Sequence, residues 1–319
     1  MGSSLTSKVE LNLYRYSKST RETIVDLIRK LKDKIWLPHQ AALEYNQKRY
    51  EVISDQEKAY KEFIEKVEQI QKDLQSTSKP PFLSKPVHAE LNAVFNKVNS
   101  EVDKSITKYC DYLKEDPIYA ELSTLFENRV TEPFSDNRLK EIFKEGEERY
   151  KIKVPPGYED EKKKEGNRKY GDLVLWKQVL AKAKELSKPI LLITDERKTD
   201  WWWKIKDGRI MGPRHELVAE MNQEANVDFH MYSSERFLSY GQRFLEKQIN
   251  QQALKEIKAM KRAEMEEIIR LKRLSRLKNE EFSFESESED SFKRLLMQRN
   301  QLRQRLIDVE KKWKVFSLK

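Results

Sequence analysis

Four consecutive apolar residues, Ile190 to Ile193, stand between Pro189 and the pair Thr194 and Asp195. So short a run without polar alternation reads as a strand buried on both faces, which a parallel sheet covered by helices provides. The flanking segments agree. "GDLVLWKQVLAKAKEL" ahead of it sets Leu173, Trp176, Leu180 and Ala183 on one helical face, and "NVDFHMYS" after it alternates Val227, Phe229 and Met231 as another strand before "SERFLSYGQRFL" returns to helix. Near the start, "STRETIVDLIRKLKDK" places Ile24, Leu27, Ile28 and Leu31 on one face behind a Ser-x-x-Glu cap signature at Ser19. "IWLP", Ile35 to Pro38, reads as a short strand, and a helix containing Glu44 starts behind its proline. Helix and strand thus alternate at both ends of the first 240 residues, and the expected fold class is α/β with a parallel sheet flanked by helices.

Two segments stand apart from this alternation. Between Asp55 and Glu147 the apolar residues are spaced by threes and fours: Tyr60, Phe63, Val67, Ile70 and Leu74, then Leu91, Phe95, Val98, Val102, Ile106, Tyr109 and Leu113. The "STSKPPFLSKP" break at Ser76 to Pro86 separates the stripes, so an antiparallel helical hairpin is expected as an insertion. After Gly241 the helical stripes continue through Leu254 and Ile257, and again from Leu302, Leu306, Val309, Trp313 and Phe316, with acidic "EEFSFESESED" between them as a linker. The expected divisions are 1–54 and 153–240 for the sheet domain, 55–152 for the insertion and 241–319 for a helical tail. That tail carries 20 Lys and Arg against 13 Asp and Glu, so most of the net charge of +9 resides there. Basicity favours a polyanion such as nucleic acid, and unpartnered stripes favour a protein partner or homo-oligomer.

Composition excludes several classes. One cysteine, Cys110, and four histidines leave no Cys/His zinc cage. No apolar run approaches the roughly 20 residues of a membrane span, and Met1 to Glu10 lacks the apolar core of a signal peptide, so no membrane association and a cytoplasmic setting are expected.

The acids carry what chemistry there is. Asp195 closes a buried strand, where ligands of open α/β sheets gather, and it fits a turn residue and a metal ligand alike. Asp172 stands at the start of a helix, as an N-cap would, and Glu44 inside one. Carboxylates converging without histidine would form a hard, oxygen-rich site for Mg²⁺ or Mn²⁺, ions that polarise a phosphodiester and activate water. Trp201, Trp202 and Trp203 are consecutive and cannot share one face, so at least one should lie near the surface, able to stack on a base beside Lys204.

Six stretches in this order, "LNLYRYS", "WLPHQAALEYNQKR", "PPGYEDEKK", "GDLVLWKQ", "LLITDERKTDWWWK" and "MYSSERFL", resemble the PIN-like nucleases, specifically a large bacterial group with a helical insertion. The resemblance implies a Rossmann-like sheet and a Mg²⁺- or Mn²⁺-dependent site that cuts RNA or DNA, in proteins that act as toxins or anti-phage effectors. By position it implies Glu44, Asp172 and Asp195 as catalytic and metal-binding, with Asp200 and Asp160 as accessories and Arg49, Lys177, Trp203 and Lys204 as nucleic-acid contacts. One departure stands out. The family's first strand ends in Asp-Thr-Asn, and this chain has Thr6, Ser7 and Lys8 there, with Glu10 able to replace the lost acid only by a register shift. The resemblance is therefore compatible both with a nuclease and with a catalytically degenerate nucleic-acid-binding or assembly subunit.

Overall fold

The computed structural model describes residues 2–75, 80–245, 250–271, 273 and 274. In chain order the described elements are β1 (Gly2–Leu5), α1 (Ser7–Asn12), α2 (Lys18–Lys30), β2 (Ile35–Trp36), α3 (His39–Gln75), α4 (Lys85–Tyr112), α5 (Pro117–Leu125) and α6 (Asp136–Lys151). They continue with α7 (Gly171–Leu186), β3 (Ile190–Ile193), β4 (Trp202–Lys204), β5 (Ile210–Pro213), α8 (His215–Ala225), β6 (Phe229–Tyr232) and α9 (Ser234–Phe244).

The fold is α/β. Four parallel strands run in the order β2-β1-β3-β6, with Gly2 to Leu5 pairing residue for residue with Ile190 to Ile193, and these with Phe229 to Tyr232. Alternate side chains of β3 part to opposite faces. Ile190 and Leu192 enter a cluster with Leu173, Trp176, Val179, Leu180 and Ala183 of α7, Leu217 and Met221 of α8, and Phe229 and Met231 of β6. Trp176 is fully enclosed, its indole edge-on to Phe229 at 5.0 Å and to Trp201 at 6.3 Å. Leu191 faces a cavity walled by Leu31, Phe237, Tyr240 and Phe244, on the side of α2 and α9. Those two helices cross tightly: a Cβ on Gly241 would lie 2.7 Å from the Leu27 side chain.

Helix α2 starts earlier than the Ser19 signature implies. Its N-cap is Ser17, whose hydroxyl accepts from the Thr20 amide at 3.3 Å. The same Ser17 hydroxyl donates to Glu256 at 2.6 Å, as does that of Thr20, so residues 250–257 fold back onto α2 with Ala253, Leu254 and Ile257 buried.

The helical hairpin is formed by α3 and α4, whose contacts Gln71 with Asn92 and Tyr60 with Tyr109 define an antiparallel pair. Helix α3 is continuous over 37 residues, so its first turns belong to the sheet layer and its later turns to the hairpin without a break. A polar knot secures the junction. Asp116 caps α5 by accepting from the amides of Ile118 and Tyr119, both at 3.0 Å, while its other oxygen takes the Tyr14 hydroxyl at 2.5 Å and Arg49 at 3.0 Å.

The first compact unit spans Met1–Ile257, and the second begins at Lys258. Of the second, residues 258–271 are helical, with Met265, Ile268, Ile269 and Leu271 exposed. The expected acidic linker at Glu280 to Asp290 and the stripe from Leu302 to Phe316 lie outside the described residues. Among the described residues no helix is long and apolar enough to cross a membrane.

Asp116→Ala removes a helix cap and strips the half-buried Arg49 and the buried Tyr14 hydroxyl of their acceptor, so it should lower the unfolding free energy by about 3–5 kcal/mol in urea denaturation. Asp116→Asn, which keeps an acceptor for the α5 amides, should cost less.

Candidate active site

The chain leaves β1 toward β2 on one side, while β3 pairs on the other, so the carboxyl ends of β1 and β3 form a topological switch point. There the Thr6 hydroxyl donates to the Thr194 hydroxyl at 3.0 Å, both side chains buried. No register shift brings Glu10 forward. It lies on α1, 2% exposed, with Oε2 lacking a hydrogen-bond partner, and burial pushes its carboxyl up to about 8.

Glu44 of α3 and Asp172 of α7 lie on packed helices, each with partners of its own. Glu44 accepts from Ser7 at 3.0 Å and from Gln40 at 2.9 Å, and its Oε1 lies where a Cβ on Gly171 would be only 3.0 Å away. Glycine at 171 thus lets the glutamate reach the first turn of α7. Asp172 sits inside that turn and is not its cap; the N-cap is Tyr170, which makes no side-chain bond to the helix. The Asp172 Oδ2 instead accepts from Lys198 at 2.8 Å and from the Trp201 indole at 3.2 Å.

Asp195 is held differently. It accepts from Asn12 at 3.0 Å, and at the start of α9 from the amide of Ser234 at 3.1 Å and its hydroxyl at 2.5 Å. One strand-ending acid thereby ties α1 and α9 to β3.

Two lysines run through the remaining acids. The Lys198 ammonium lies 2.8 Å from Asp172 and 2.8 Å from Asp160, with Glu196 at 3.6 Å, and Lys8 pairs with Glu196 at 2.8 Å. Burial works against the charge of Lys198, yet Asp172, Glu196 and Asp160 outweigh it and hold its pKa well above the ordinary lysine value. In turn Glu196 is kept below the usual carboxylate range against its own burial by Lys8 and Lys198, and Asp160 likewise by Lys164 and Lys198. Asp200 is fully buried and accepts from the amides of Gly157 at 2.8 Å and Glu159 at 3.2 Å. Its other oxygen has no hydrogen-bond partner, and burial raises it to about 6. Asp200 therefore pins the 157–159 turn that delivers Asp160 to Lys198.

These donors are hard oxygens of the kind Mg²⁺ and Mn²⁺ select. Their arrangement does not fit such an ion. The ammonium of Lys198 stands between the two aspartates, β1 ends in a hydroxyl, and among the described residues no three His, Cys, Asp or Glu side chains are grouped to hold a metal.

The four expected nucleic-acid contacts separate in the same way. Arg49 is engaged with Asp116, and Lys177 with Glu145 at 2.7 Å and Glu220 at 3.1 Å, both as mostly buried pairs. Lys204 donates to the Arg197 carbonyl at 2.5 Å, and Trp203 is exposed. Lys198, Glu196, Asn12 and Ser234 lie within the stretches that carry the resemblance, yet nothing in their type or spacing singles them out, whereas Lys8 stands with Thr6 and Ser7 where the resemblance expects Asp-Thr-Asn.

Residues 5–217 match a family model described as "PIN like domain". No curated protein and no solved structure gives a significant match.

Glu10 generates a pH prediction. Its folded pKa of about 8 lies above the ordinary 4.5, so the folded state holds the proton more tightly; stability is greatest below 4.5 and is lost as pH rises toward 8. Asp200, raised from 3.8 to about 6, adds to the lower part of this slope. Glu10→Gln should therefore raise Tm by several degrees near pH 8 and change it little near pH 4.5, read from thermal melts across that range.

Proposed function

The chain belongs to the PIN-like domain family, and from that premise we propose that it binds nucleic acid at the carboxyl edge of its sheet without hydrolysing it. The family's nuclease-type fold is retained, and the observation that carries the reading is the hydroxyl pair of Thr6 and Thr194 at the switch point, where an acid would be needed. Around it Lys198 and Lys8 compensate Asp160, Asp172 and Glu196 from within, so the edge presents salt bridges to a phosphate rather than a cluster of free carboxylates. In this reading Glu44 orients Ser7, Asp172 orients Lys198, and Asp195 secures α1 and α9. All three acids then serve to position the edge.

A second reading is a Mg²⁺- or Mn²⁺-dependent nuclease of RNA or DNA, with the toxin or anti-phage role that the family resemblance implies. What favours it is that Glu44, Asp172, Asp160 and Asp200 all remain within one connected neighbourhood, joined through Gly171, Lys198 and the 157–159 turn. Assembly through the helical residues beyond Ile257 is compatible with either reading.

The purified chain mixed with labelled RNA and DNA oligonucleotides and Mn²⁺ separates the two. The binding reading expects affinity that falls steeply with salt and no cleavage. It also expects that Thr6→Asp with Lys8→Asn, which restores an acid and removes a cation, gives cutting that depends on Mn²⁺. Cleavage by the unaltered chain, abolished by Glu44→Gln with Asp195→Asn, would decide for the nuclease.

A further inference from the structure

The hairpin of β4 and β5 takes no part in the acid network beyond its root, yet it carries an unusual surface. Its base is stapled to the carboxyl edge: Trp201 donates to Asp172, Trp202 donates to the Glu196 carbonyl at 2.5 Å, and Lys204 donates to the Arg197 carbonyl. Trp201 and Trp202 are 3% and 4% exposed, whereas Trp203 between the staples is 40% exposed. A bulge between Trp203 and Lys204 turns the strand at that point.

Directly across from Trp203 stands Gly212, and a Cβ built there would meet nothing within 4 Å. Opposed residues of an antiparallel pair share a face, so the indole has no cross-strand side chain beside it. The only ring paired with it among the described residues is His215, 4.4 Å away between centroids and tilted by 53°. Of the arm's cations, Arg209 pairs with Asp207 at 2.7 Å, Arg214 pairs with Glu216, and Lys204 donates to the Arg197 carbonyl, while Lys206 is exposed at the turn.

We infer that this arm is a stacking platform for an unpaired nucleobase, with Trp203 as its surface, His215 as its side wall and the exposed Lys206 drawing in a flanking phosphate. The inference rests on the nucleic-acid reading above and deepens it by naming where a base is held. An aromatic face with open space over a glycine admits a flat ring, and base stacking of this kind does not depend on base identity. A base inside a duplex is already stacked on both faces, so the platform takes single strands or flipped-out nucleotides. Because the root of the arm touches Asp172 and the backbone at Glu196 and Arg197, a strand anchored here runs onto the edge that carries Lys198.

Fluorescence anisotropy of labelled oligo(U) and oligo(dT), and of a duplex of matched length, tests this with the full chain. Trp203→Ala should weaken binding of the single strands by roughly tenfold or more and leave the weaker duplex binding unchanged, and Trp203→Phe should retain most of the affinity. Unchanged single-strand affinity in Trp203→Ala, or equal binding of duplex and single strand by the unaltered chain, overturns the platform while leaving nucleic-acid binding intact. Absence of binding to every oligonucleotide at low salt overturns the underlying reading and the platform with it.

Discussion

Everything at the functional edge depends on one pairing, that of Gly2 to Leu5 with Ile190 to Ile193. It joins the beginning of the chain to a strand some three-fifths of the way along it, and the loop entropy of that closure grows only slowly with length. The parallel register does the rest. It aligns Thr6 with Thr194, sets α1 beside α3 so that Ser7 reaches Glu44, and brings the Asp195 carboxylate between α1 and α9. A shift of one residue would turn Leu191 and Ile193 toward α7 and dissolve the Trp176 cluster. The tightness of the hydrophobic layer is thus what holds the polar edge in place.

The edge itself is an electrostatic balance in which each acid is matched from a different direction. Lys198 comes from the loop after β3, Lys8 from α1 and Lys164 from the segment after the 157–159 turn. Removing Lys198 would leave the mostly buried Asp172 without its cation, which is costlier than the pair is worth, whereas Glu196 and Asp160 would keep Lys8 and Lys164. Glu10 and the second oxygen of Asp200 stand outside this balance, and burial keeps protons on those acids longer than usual.

Much of this architecture is legible in the sequence because it rests on periodicity. The face of α7, the runs of β3 and β6 and the paired stripes of the helical hairpin all follow from spacing alone. The three tryptophans also divide as consecutive positions must, two inward and one outward. The charge partners are a different matter. How closely Glu44 approaches the first turn of α7 is decided by a missing Cβ at Gly171, and whether Lys198 meets Asp160 by a turn pinned through Asp200, 43 residues from the glycine amide it accepts. Neither has a local signature, since long side chains reach partners that only the tertiary fold supplies. Helix α2 starts two residues before the Ser19 signature for a related reason: Ser17 and Ser19 are equally good caps in isolation, and the accepting contact with the Thr20 amide selects the first.

The hairpin of α3 and α4 also bears on how the chain acquires its structure over time. Its contacts are local, between segments joined by a short break, and local contacts form quickly. On a ribosome that delivers residues one after another, α3 and α4 can pair soon after Tyr112 emerges, while β1 is still without β3. Because α3 is a single uninterrupted helix, the turn that carries Glu44 continues directly from the paired segment. The long helix therefore acts as a template: it presents the surface on which α1, and later α7, find their places, and the polar edge is completed last.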